Sequence, residues 1–114
     1  MQDTDQPREL DLLETIEKIT ATLDRVTPLT RDLEVVMRLG KISEEVGEVH
    51  EALSRALGHN LRKGHDPEGW TKVQNELCDV VFTALIALTT VSDDARAKLQ
   101  ERLAFVADRT LSLA

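Results

Sequence analysis

Two clusters of carboxylates are the residues best equipped for chemistry in this chain. The first is Glu44-Glu45-x-x-Glu48 and the second is Glu76-x-x-Asp79. Both fall in stretches with helical patterning, separated by a polar loop. Residues three and four apart share one face of an α-helix. Glu45 and Glu48 therefore project together, with Glu44 one step around, and Glu76 and Asp79 project together as well. Antiparallel packing of the two helices would let the carboxylates meet. Like charges at this spacing cost an isolated helix roughly 0.2–0.5 kcal/mol per pair, and the cost grows as water is excluded. Something positive is expected between them. Carboxylates without His or Cys suit a hard cation bound through oxygen, with Mg²⁺ as the default and Mn²⁺ as a substitute. Mg²⁺ held by a few carboxylates keeps several waters and normally takes phosphate as its other partner.

A Glu-rich helix face is often nothing more than a solvated surface. Asp79 argues against that here. It lies in an otherwise apolar run of Leu77, Cys78, Val80 and Val81, and a carboxylate is rarely buried without a partner. The other polar residues are less specific. Arg62 and Lys63 in the loop suit phosphate and equally suit solvent. His50, His59 and His65 lack metal-ligand spacing. Cys78 reads as a small buried residue, since no His is paired with it, and Trp70 reads as packing at a helix start. No Gly-rich phosphate loop or nucleophile elbow is present.

The elements that must position the clusters follow from periodicity. Met1 to Arg8 is polar, carries Pro7 and is expected to fray. Glu9 to about Arg25 reads as a first helix, ended by Thr27-Pro28. Thr30 is a good N-cap for a second helix that runs to about Leu57 and stops at Gly58. Its apolar seam is Val35, Leu39, Ile42, Val46, Val49 and Leu53, with Lys41, Glu45, Glu48 and Ala52 as the next stripe around. Gly40 and Gly47 interrupt it, either for close helix approach or for ligand room. Asp66-Pro67 suits an N-cap and first turn for a third helix, reaching Val91. Val80 to Leu88 is almost wholly apolar, so this helix must be covered on all sides, and a second subunit is expected on one of them. Ser92 is the expected cap of a fourth helix ending near Leu111, with Leu99, Leu103 and Val106 inward.

The chain of 114 residues supports one domain. Apolar residues make up 41 %, aromatics only 3 %, and strand-like alternation is absent. The expected class is all-α, a four-helix bundle completed by oligomerisation. The net charge is −7, and the two clusters supply much of it. No basic stripe suggests nucleic acid. The single cysteine excludes an intrachain disulfide and a Cys-based zinc site. With no long apolar segment or signal-peptide pattern, a cytoplasmic protein without membrane attachment is the expectation.

Lys41-Ile-Ser-Glu-Glu-Val-Gly-Glu followed by Glu76-Leu-Cys-Asp-Val-Val resembles the MazG-like all-α nucleoside triphosphate pyrophosphohydrolases, in particular the compact MazG-like and dimeric dUTPase branch. The resemblance spans about Val35 to Leu88. It implies that Glu45, Glu48, Glu76 and Asp79 coordinate Mg²⁺ and that Glu44 orients or deprotonates the attacking water. It implies cleavage between the α- and β-phosphates, giving a nucleoside monophosphate and pyrophosphate, by a homodimer or tetramer. Lys41, Arg62, Lys63, Lys98 and Arg102 are the candidate phosphate contacts. The chain departs from many relatives after the second cluster, where Glu101 stands in place of Asn and no Tyr exists. A phosphoribosyl-ATP pyrophosphohydrolase shares the fold and motif. A non-catalytic metal-binding helical oligomerisation module is the rival from another class.

Overall fold

Three of the four helices start where a side chain can satisfy the first free N–H groups. Asp11 accepts from Glu14 N at 2.7 Å, Thr30 from Leu33 N at 3.4 Å, and Asp94 from Ala97 N at 3.0 Å. In a computed structural model describing residues 10–114, these caps open α1 (Leu12–Val26), α2 (Arg31–Ala56) and α4 (Ala95–Leu111); α3 spans Gly69–Val91. The described residues contain no strand. The expectation for Met1 to Arg8 lies outside the described residues; the first helix, expected from Glu9, begins at Leu12, where Asp11 caps it.

Two starts differ from those expected. Ser92 closes α3, and its hydroxyl accepts from Asp94 N at 3.3 Å; Asp94 is the cap of α4. Asp66 does not cap α3 either. Its carboxylate is taken up by Glu68 N at 2.9 Å and Lys72 Nζ at 2.6 Å, and its carbonyl accepts from Gly69 N. Asp66-Pro67 thus forms a turn that delays the helix to Gly69. The end of α2 is a Schellman closure: His59 N bonds to Ser54 O, Gly58 N bonds to Arg55 O, and Gly58 has φ +71°. The loop is then tied back to α2 by Asp66 N on Arg55 O.

α2 packs along α3, α1 also lies on α3, and α4 touches α3 only lightly. α4 turns away from α3 through 117°. At the loop end α2 and α3 approach so closely that a methyl group added at Gly69 would stand 2.5 Å from Ala56 Cα. Gly40 and Gly47, by contrast, face open space, with nothing near enough for close helix approach within the protomer.

The face that α2 turns inward mixes its apolar and charged stripes, with Val35, Ile42, Val49 and Leu53 of the expected seam half-buried. Glu34, Arg38 and Glu45 have nearly covered side chains and Ala56 is buried, while Leu39 and Val46 of the expected seam stay exposed. A polar clamp holds this face. Arg38 pairs with Asp24 at 2.9 Å and Glu34 at 3.2 Å, and donates to the Thr90 hydroxyl at 2.8 Å; Arg31 donates to the Thr90 carbonyl. One guanidinium thereby joins α1, α2 and α3.

The buried apolar residues are few: Ile16, Ala56, Val73 and Ala87. Leu77, Val81 and Phe82 of the apolar third helix are exposed, as are Cys78, Trp70 and, on α4, Leu103. The burial expected for Cys78, Trp70 and Leu103 is therefore not met within one protomer. The radius of gyration is 18.0 Å, against about 13 Å for a compact chain of this length. No single helix among the described residues is long and apolar enough to cross a membrane.

Candidate metal centre

The inward rotation of α2 places Glu45 directly against α3. Glu45 is buried, at 9 % exposure. On the facing helix Glu76 is half-buried, while Asp79, whose apolar sequence neighbours argued against a solvated position, is exposed because Leu77, Cys78 and Val81 beside it are exposed in the protomer too. One carboxylate oxygen from each of Glu45, Glu76 and Asp79 lies within 4.8 Å of the others. Oxygens on opposite sides of an octahedral Mg²⁺ stand about 4 Å apart, so small side-chain shifts would close the triad on such an ion.

Two further observations bear on whether these residues suit a cation. Glu45 Oε2 and Glu76 Oε2 are both buried without a hydrogen-bond partner. Buried acceptors left unmatched are costly, and two in one acidic cluster are matched by a single ligand: a positive ion. The second observation is electrostatic. Burial pushes the Glu45 carboxyl above the usual range, the neighbouring charge of Glu48 adds to this, and Lys41 pulls the other way; a Glu48 hydrogen bond and the charge of Asp79 raise it further. The donor set is all oxygen, which selects Mg²⁺ or Mn²⁺ over softer metals.

Glu48 therefore belongs to the same electrostatic unit, although it is exposed and outside the tight triad. Glu44 does not converge with the others. It is exposed, and its carboxylate accepts from Lys41 Nζ at 3.3 Å. Lys41 bridges Glu44 and Glu45, at 3.6 Å from the latter, so the first candidate phosphate contact stands at the rim of the centre.

The remaining candidates are farther out. Arg62 is exposed, its N–H held by the Asn60 side chain at 3.2 Å. Lys63 pairs with Glu51 and keeps that carboxyl below its usual range. On α4, Lys98 lies 3.5 Å from Glu101, and the Arg102 guanidinium sits 4.7 Å from the centre of the Phe105 ring. None of these four lines either of the two clefts that flank the carboxylates.

Beside residues already singled out, those clefts add Arg55 and Arg38, which sequence reasoning did not pick. One cleft, of about 350 Å³, is lined by Glu48, Arg55, Asp66, Gly69, Lys72 and Glu76, among others. The other, of about 370 Å³, is mainly apolar, with Leu23, Met37 and Ile86 beside Arg38, Lys41 and Thr83. A signal for the first existed in the spacing. Arg55 lies two turns after Glu48 and Lys72 one turn before Glu76, so each continues its carboxylate stripe toward the loop.

No family model, curated protein or solved structure matches the chain.

Proposed function

We propose that the chain is a Mg²⁺-dependent nucleoside triphosphate pyrophosphohydrolase of the MazG-like kind, cleaving between the α- and β-phosphates. The observation that carries this reading is the convergence of Glu45, Glu76 and Asp79 around two buried, unmatched carboxylate oxygens. Glu45, Glu48, Glu76 and Asp79 would hold the ion. When bound, Mg²⁺ offsets charge on the triphosphate and lowers the pKa of a coordinated water. Glu44, exposed beside this set, accepts the proton from the attacking water, and Lys41 keeps Glu44 oriented by its bridge to Glu45. The apolar cleft beside Lys41 and Thr83 suits a nucleobase. Positioning and electrostatics are what phosphoryl-type transfer needs most.

The same reading assigns a second copy of the chain to the exposed apolar residues. Val36, Leu39 and Val46 on α2, with Leu77, Val81 and Phe82 on α3, are uncovered in one protomer. A homodimer would bury them and complete a four-helix core.

The test is pyrophosphate release with Mg²⁺ across a panel of canonical and modified nucleoside triphosphates, for wild type, Glu48→Gln and Asp79→Asn. Turnover that requires Mg²⁺ and disappears in both folded variants supports the reading. Turnover of phosphoribosyl-ATP alone would move the assignment to that activity. No turnover on any substrate by a folded, metal-loaded protein would leave a non-catalytic metal-binding module.

A further inference from the structure

Arg55 lies among the carboxylates of the polar cleft, and, after Lys63 and Lys72, its charge helps from a distance to hold the Glu51 and Asp66 carboxyls below their usual range. It is half-buried, its Nε is fully covered without a hydrogen-bond partner, and it enters no ion pair among the described residues. Its backbone is fixed, because its carbonyl accepts both Gly58 N and Asp66 N where the loop folds back. The side chain is thus rooted at a rigid corner and lines the polar cleft. A guanidinium offers five donors in a planar fork, so leaving one half-buried and unmatched has a cost that a bound anion would remove.

The carboxylates around it have closer partners than Arg55. Glu51 is answered by Lys63 and Asp66 by Lys72. Glu48 and Glu76 line this cleft as well, Glu76 as a member of the carboxylate triad and Glu48 as its charged neighbour. With a divalent cation at the triad, Arg55 is left as the basic side chain of the cleft without a contact partner, its Nε buried and unbonded. The layout along the helices gives the anion a direction. Lys41 and Thr83, one turn from Glu45 and Asp79, mark the apolar cleft at one end. Arg55 and Lys72 mark the polar cleft at the other. A substrate with an apolar head and a polyanionic tail would lie across the carboxylates in that order.

Resting on the metal-dependent reading above, we propose that Arg55, with Lys72 held beside it by Asp66, forms the subsite for the β- and γ-phosphates, the pair that leaves as pyrophosphate. Arg55 forks onto the terminal phosphate oxygens, and Lys72 supplies a point charge at the cleft rim. This places the leaving group at the loop end and the nucleoside at the α1 end.

The experiment is a calorimetric titration of inorganic pyrophosphate, with Mg²⁺ present, into the full chain and its Arg55→Gln and Arg55→Lys variants. Mg²⁺ affinity and melting temperature are measured for each. The expected result is that wild type binds pyrophosphate and Arg55→Gln binds it about 10-fold or more weakly with Mg²⁺ affinity retained. Arg55→Lys should fall between, because charge survives and the fork does not. If Arg55→Gln fails to fold, Arg55→Lys carries the comparison. Unchanged pyrophosphate affinity in the folded variants would overturn the subsite and leave the metal centre standing, as would a wild type that binds Mg²⁺ and no pyrophosphate. A wild type that binds no Mg²⁺ would overturn the metal-dependent reading and this subsite together.

Discussion

Glu45 is caught between two demands. Packing against α3 removes it from water, while Glu48 and Asp79 stand close enough to repel its charge. Its carboxyl is therefore raised above the ordinary value, through burial first and Glu48 next. The folded state of the metal-free protein binds the Glu45 proton more tightly than the unfolded state does. This contribution to stability is fully present below the unfolded value and is lost as pH rises through the folded one. Replacing Glu45 by Gln should then raise the melting temperature of the chelator-treated protein at pH 8, with a smaller gain at pH 5, by scanning calorimetry. The same variant should lose stabilisation by Mg²⁺. For wild type, Mg²⁺ affinity should weaken on acidification at a higher pH than an ordinary Glu would dictate, because the proton competes for the same oxygen. The pairing of Glu45 with Glu76 and Asp79 was legible from i,i+3 spacing on two helices. The outward turn of Glu44 toward Lys41 was not, because it depends on which side of α2 meets α3.

Helices themselves were the most legible feature, since a period of 3.6 and capping residues such as Thr30 mark them without reference to the rest of the chain. Their rotation was less so. On α2 an apolar stripe and a charged stripe lie side by side, and helical spacing alone does not say which faces the neighbour in the same protomer. The structure turns part of each inward: Val35, Ile42, Val49 and Leu53 are half-buried, and Glu34, Arg38 and Glu45 are covered beside them, held by the Arg38–Glu34–Asp24 clamp. Local chemistry also misled at two starts, because Ser92 and Asp66 are good capping residues whose oxygens are used in the preceding turns. The glycines separate cleanly by their surroundings. Gly69→Ala would drive a methyl group into the Ala56 backbone and should destabilise by roughly 1–3 kcal/mol in urea unfolding. Gly47→Ala meets open space and should stabilise by up to about 1 kcal/mol through helix propensity. A loss at Gly47 instead would mean that a partner packs there.

At the scale of the molecule, the described helices leave much apolar surface open. Among the described residues four apolar side chains are buried and many Leu, Val and Phe side chains are exposed, apolar surface that the proposed second copy would cover. The almost wholly apolar run from Val80 to Leu88 pointed to such a surface in the sequence, and the exposed Val81 and Phe82 are its structural counterpart. Wild type should sediment as a dimer or tetramer at micromolar concentration. Phe82→Glu should shift it toward monomer and lower its melting temperature. A wild type that remains monomeric with an unchanged melting temperature on dilution would contradict this.

The metal centre is tested most directly by titrating Mg²⁺ into the chelator-treated chain by calorimetry, alongside Glu76→Gln and Asp79→Asn. Wild type should bind Mg²⁺ and melt at a higher temperature with it. Each variant should remain folded and lose about 10-fold or more in affinity. Wild type without measurable Mg²⁺ binding, or variants that bind it as well as wild type does, would contradict the account.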